Sequence, residues 1–155
     1  MTNTLPQTTR TSYRLSNDLQ EAAVGLNIRP SQPDEAEREE VVLKKLGARG
    51  WGRLIHFRNY YSAGWGECSA KPLSPRALET FYRFLEKAQF PANTVPSIFL
   101  TDGGTLELCW EDAFGKAIQF EFTATGIEFF LESRKIEGVC SPQQAAGLAN
   151  ELSAT

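Results

Sequence analysis

With 155 residues, 41% of them hydrophobic and 23% charged, the chain is long enough for one domain with its own core plus a tail. Its net charge of −3 argues against wholesale coating of nucleic acid but leaves room for a local basic patch. No apolar run approaches the roughly 20 residues that cross a bilayer, so no membrane span is expected.

Residues 1–33 are rich in Thr, Ser, Asn, Gln and Pro, a composition that buries little apolar surface and predicts a flexible N-terminal tail. The first ten residues lack the apolar core of a secretory signal. Within the tail, Ser16 is placed to cap a short helix from Asn17 to Val24, with Leu19 on its apolar side. A single α+β domain is expected over 34–152. Pro33 to Leu46 reads as its first helix, with acids in the first turn, Lys44 and Lys45 in the last, and Gly47 as the stop. Its apolar side is thin (Val42, Leu43, Leu46), which places it on the surface. Residues 50–61 are ambiguous between helix and strand; Leu54, Ile55, Arg58 and Tyr61 on one face favour helix. Ser62 to Pro72, with Gly64 and Gly66, reads as a loop that Trp65 pins to the core. Ser74 and Pro75 open a helix to Gln89, carrying Ala77, Leu78, Phe81, Phe84 and Leu85 at helical spacing.

The stretch 96–132 organises the rest. Leu106, Leu108 and Trp110, then Ile118, Phe120 and Phe122, then Ile127, Phe129 and Leu131 alternate with polar residues, the period of half-buried strands. Gly103-Gly104, Asp112 to Gly115 and Thr125-Gly126 supply the turns. With Ile98 and Leu100 as an opening strand, the prediction is a three- to four-stranded antiparallel meander with helices packed on one face. Ser141, Pro142 and Gln144 predict a last helix with a capping box.

Candidate chemistry is thin. His56 is the only histidine, and its neighbours Phe57, Tyr60 and Tyr61 point to packing. Cys68, Cys109 and Cys140 are an odd number, widely spaced, which fits unpaired thiols in a reducing cytoplasm. Neither glycine cluster has the spacing of a phosphate loop, and no cofactor or metal motif is present. Glu107, Glu111, Glu121, Glu128 and Glu132 would suit a carboxylate hydrolase, but the alternation turns them to water. Charge segregation is the more informative feature. Residues 44–58 hold Lys44, Lys45, Arg49, Arg53 and Arg58 and no acid, while 98–132 hold seven acids against Lys116 alone. Phe130 shares the parity of Glu128 and Glu132, an aromatic ring on a wet face.

Gly64-Trp65-Gly66, Pro72 to Pro75, Asp102-Gly103-Gly104 and the strand ending at Trp110 carry a further signal. In these motifs the chain resembles a family of small uncharacterised bacterial proteins with a Gly-Trp loop, a Pro/Ser-started helix and a meander, over about residues 50–135. That resemblance implies the fold and an accessory gene context, with no established activity and no catalytic residues. The expectation is a non-enzymatic interaction protein, the neutralising or accessory component of a bacterial two-gene module. Its partner would dock on Phe130, Glu128, Glu132, Glu121 and Glu107. The alternative is weak nucleic-acid binding through Lys44, Lys45, Arg49, Arg53 and Arg58.

Overall fold

Alternation along residues 97–131 and a fifth strand after it produce one antiparallel sheet, and the helices before and after it cover one of its faces. A computed structural model describes residues 35–66 and 69–154. The expected tail, its short helix and Cys68 lie outside the described residues. The elements are α1 (Glu35–Tyr60), α2 (Pro75–Lys87), β1 (Ser97–Leu100), β2 (Leu106–Glu111), β3 (Ala117–Phe122), β4 (Ile127–Leu131), β5 (Ile136–Cys140) and α3 (Pro142–Ser153). The architecture is α+β, with sheet order β1-β2-β3-β4-β5.

The meander has five strands, not three or four. The extra strand, β5, hides in the sequence because Gly138 and Cys140 are small and Val139 points the wrong way for a simple alternation. It pairs with β4 nonetheless, Phe129 opposite Gly138 and Leu131 opposite Ile136. A side chain at 138 would meet the Phe129 ring at 2.9 Å, so the ring occupies the space that glycine leaves.

The segment Glu35–Tyr60 is not one straight rod. Gly47 adopts φ 76°, ψ 178°, a conformation open essentially to glycine alone. Arg58 Nη1 lies 2.6 Å from Glu35 Oε2, whereas 23 residues of continuous helix would separate them by about 35 Å. The chain therefore turns back at Gly47 into two helical arms, as the expected stop there requires, and the ambiguous 50–61 stretch is helical through Tyr60. Both arms reach the core, through Val42 and Leu46 on the first and Leu54 and Phe57 on the second. The first arm is thus anchored and not merely superficial. Gly50 permits the reversal, since a Cβ there would sit 2.5 Å from Leu46 Cβ.

Helix α2 starts as expected: Ser74 Oγ accepts from Ala77 N–H and Pro75 takes the first position. It ends at Lys87, with Ala88 already extended, two residues short of the predicted Gln89. The carbonyls at its end and just past it are met from α3, where Asn150 Nδ2 donates to Lys87 O and Ser153 Oγ to Gln89 O. The small buried face of α3 (Ala145, Ala146, Ala149) allows that close approach. Its capping box between Ser141 and Gln144 is formed.

The core lies between α2, α3 and the inner sheet face. Phe81 and Phe84 meet Phe120 and Phe122 edge-on or tilted, with ring centroids 5.1–5.4 Å apart. Trp110 packs between Phe90 and Phe120. Each such side chain contributes roughly 1.5–3 kcal/mol of burial before entropy is counted. In the loop, Trp65 Nε1 donates to Lys71 O and the ring packs on Tyr61, itself resting on the core. No helix among the described residues is long and apolar enough to cross a membrane.

Candidate functional site

The strand register decides what the outer sheet face presents. One row across all five strands reads Phe99, Glu107, Glu121, Glu128, Val139, and the next reads Ser97, Cys109, Gln119, Phe130, Glu137. Three carboxylates on three adjacent strands therefore stand directly opposite one another, with a fourth, Glu137, beside them. Opposed positions place Cβ atoms about 4.5–5.5 Å apart, and like charges in them are destabilising.

Little inside the molecule relieves this. Thr105 Oγ1 donates to Glu121 Oε2 at 2.5 Å, and Cys109 Sγ to Glu107 Oε1 at 3.6 Å. The ion pairs of the described residues, Arg38–Glu79, Arg58–Glu35 and Arg83–Glu79, all lie among the helices. Burial, and then the neighbouring Glu107 carboxylate, push the Cys109 thiol up to about 11. At neutral pH it is a protonated donor and a poor nucleophile.

Around half-buried Phe130 these residues enclose a shallow concavity of about 340 Å³, walled by Glu107, Glu121, Glu128 and Glu137 and by Gln119. Four of the five sequence-derived docking residues meet here. Glu132 does not line it; its Oε1 accepts from Ala117 N–H at 2.7 Å, tying the end of β4 to the start of β3. Parity alone put Glu132 on this face, but the strand ends at Leu131. Gln119, Glu137 and Val139 belong to the site and escaped the sequence reading, the last two because β5 did. Helix α3, with Leu148 and Leu152, packs on the core and does not seal Phe130.

The basic residues are dispersed. The break at Gly47 puts Lys44 and Lys45 on one arm and Arg49, Arg53 and Arg58 on the other. Lys45 Nζ donates to Ala88 O, and burial together with Lys44 lowers its pKa. Arg53 Nε donates to Ile98 O at 2.9 Å and lies over the Phe57 and Phe99 rings. Arg58 is held by Glu35. Trp51, within this run, rests on the core. A second concavity of about 290 Å³ lies between the second arm and β1, with Arg49 and Arg53 on one wall and Val95 and Phe99 on the other.

His56 is exposed and meets the Tyr60 ring at a tilt and the Tyr61 ring edge-on. Among the described residues no group of three or more His, Cys, Asp or Glu is arranged to hold a metal ion. Comparison with family models, with curated proteins and with solved structures finds no match to this chain.

Proposed function

We propose that the protein is a non-enzymatic interaction protein whose outer sheet face receives a basic segment of a protein partner. The observation that carries this reading is the row Glu107, Glu121, Glu128, paired with no cation among the described residues, beside half-buried Phe130. A fold that holds like charges in register gives up stability unless another molecule neutralises them. Phe130 offers an aromatic anchor at the centre, and the carboxylates set orientation and association rate. The resemblance noted in the sequence adds the context, an accessory or neutralising component of a bacterial two-gene module acting in the cytoplasm.

Co-expression with the products of the flanking genes, followed by titration of the purified pair, tests the reading. A partner is expected whose affinity falls with added salt and is lost in Phe130→Ala while that variant stays folded. Undiminished binding by a variant combining Phe130→Ala with Glu121→Gln and Glu128→Gln would move the interface elsewhere.

Nucleic-acid binding is the weaker reading, because Lys45, Arg53 and Arg58 already serve intramolecular contacts.

A further inference from the structure

The two edges of the sheet are treated differently. The ladder bonds that close the hairpins fix the phase of each edge. Thr123 N–H donates to Gly126 O and Glu132 N–H to Ala117 O, bracketing the β3–β4 ladder. Bonded pairs alternate in antiparallel sheets, and a residue's N–H and C=O point the same way. Glu128 and Phe130 therefore bond β3, while Ile127, Phe129 and Leu131 bond Cys140, Gly138 and Ile136 of β5. The backbone groups of Glu137 and Val139 are left pointing off the edge. The same count from Thr101 N–H to Thr105 O points Ile98 off the opposite edge. There one outward carbonyl is met, since Arg53 Nε donates to Ile98 O at 2.9 Å, and just past the strand Lys71 N–H donates to Asp102 O at 2.9 Å.

Edge β5 has no such guard among the described residues. It carries no proline, and its exposed side chains include Val139 at 73% and Ile136 at 43%. Its shortness and the exposed Glu137 blunt it in part, but an unpaired edge that also exposes apolar side chains is a template for another strand.

We propose that β5 pairs antiparallel with β5 of a second copy of this chain, in the register centred on Gly138. That register satisfies the free edge and the side chains together. Glu137 and Val139′ exchange both backbone hydrogen bonds, and so do Val139 and Glu137′. Gly138 faces Gly138′ at the closer, non-bonded spacing, where neither has a side chain to clash. Ile136 meets Cys140′. Centring on Glu137 instead would set two carboxylates face to face, and centring on Val139 would drive the strand into Pro142. The half-buried Phe129 ring, which reaches over Gly138, comes to the junction with its mate. On the outer face the row ending Glu128, Val139 continues into Glu137′ and Phe130′, so the two acidic concavities become neighbours on one sheet.

Sedimentation of the full chain over a dilution series, with hydrogen exchange at Glu137 and Val139, tests this. Twice the mass of one chain is expected at the highest concentration, and protection of both amides should fall on dilution. Val139→Pro removes a donor that the chain itself does not use; it should stay folded and run as a single chain. Should that variant unfold, Val139→Lys decides by the same mass criterion. A wild type that is one chain at every concentration overturns the proposal, as does a dimer that persists in the folded variant. Protection in a monomer would give the edge to the same chain, and protection only with a foreign protein would give it to that protein; either result also overturns self-pairing.

Discussion

The two faces of the sheet are built from the same strands and the same alternation, yet they answer to different rules. On the inner face Leu106, Leu108, Trp110, Phe120 and Phe122 are buried, and neighbours across the ladder add to one another. On the outer face Glu107, Glu121 and Glu128 oppose one another. Stability accounts for the first arrangement. It does not account for the second, which is why the outer face is where function is sought.

The largest expected effect breaks the inner face. Trp110 is 6% exposed and contacts Phe90 and Phe120. Trp110→Ala is expected to cost on the order of 3–5 kcal/mol, as truncation of large buried aromatics does. Glu107→Gln, on the same strand but the other face, should stay within about 0.5 kcal/mol. Equal losses in urea melts would erase the distinction between the faces.

The inner face is inner only because helices are delivered to it, and Gly47 is the hinge of the first delivery. Any other residue there is forced into a strained conformation, so Gly47→Ala is expected to destabilise by roughly 1–3 kcal/mol. Loss of the α-helical signal without loss of sheet would locate the damage to the two arms. An unchanged melt would mean that the reversal at Gly47 is not held in solution.

How much of this was legible beforehand follows the same division. The inner face was, because buried strands announce themselves by residue type: the alternation placed β1 to β4, and Ser74-Pro75 and Ser141-Gln144 placed the caps of α2 and α3. Gly47 as a stop was legible for a physical reason, the conformation only glycine takes. The antiparallel return of the second arm was not, since it depends on tertiary contacts such as Arg58–Glu35. The outer face was half legible. Parity identified Glu107, Glu121, Glu128 and Phe130, but their juxtaposition depends on register between strands, which one sequence does not state. Strand β5 was missed because Gly138 stands where an inward apolar residue would have given the signal, and its place is taken by Phe129 from the next strand. The basic run looked like a patch only along the chain; the break at Gly47 and the bond from Arg53 to Ile98 O divide it.

Phe130 tests the comparison from the other side. Half-buried and facing away from the core, it should behave as neither a core residue nor an inert one. Phe130→Ala is expected to cost about 1 kcal/mol, a shift of roughly 3–5 °C in melting temperature. A loss near that of Trp110→Ala would make it part of a second core and remove it from the interface.

The smallest expected effect is the most diagnostic, because its sign is opposite to that of the others. Glu128 is exposed, stands opposite Glu121, and has no side-chain partner among the described residues. Replacing it with Gln keeps the size and removes one of two opposed charges. Glu128→Gln should therefore stabilise the protein, by about 0.2–0.5 kcal/mol at low ionic strength. The gain should shrink in urea melts at about 1 M salt, where charges are screened beyond roughly 3 Å. The same substitution should weaken the salt-dependent part of partner binding. A variant that is more stable and binds less well is what a charge kept for recognition requires. Stabilisation that persists unchanged in high salt would trace the gain to something other than repulsion. A loss of stability would mean that Glu128 is compensated within the chain, and the acidic row would no longer argue for a partner.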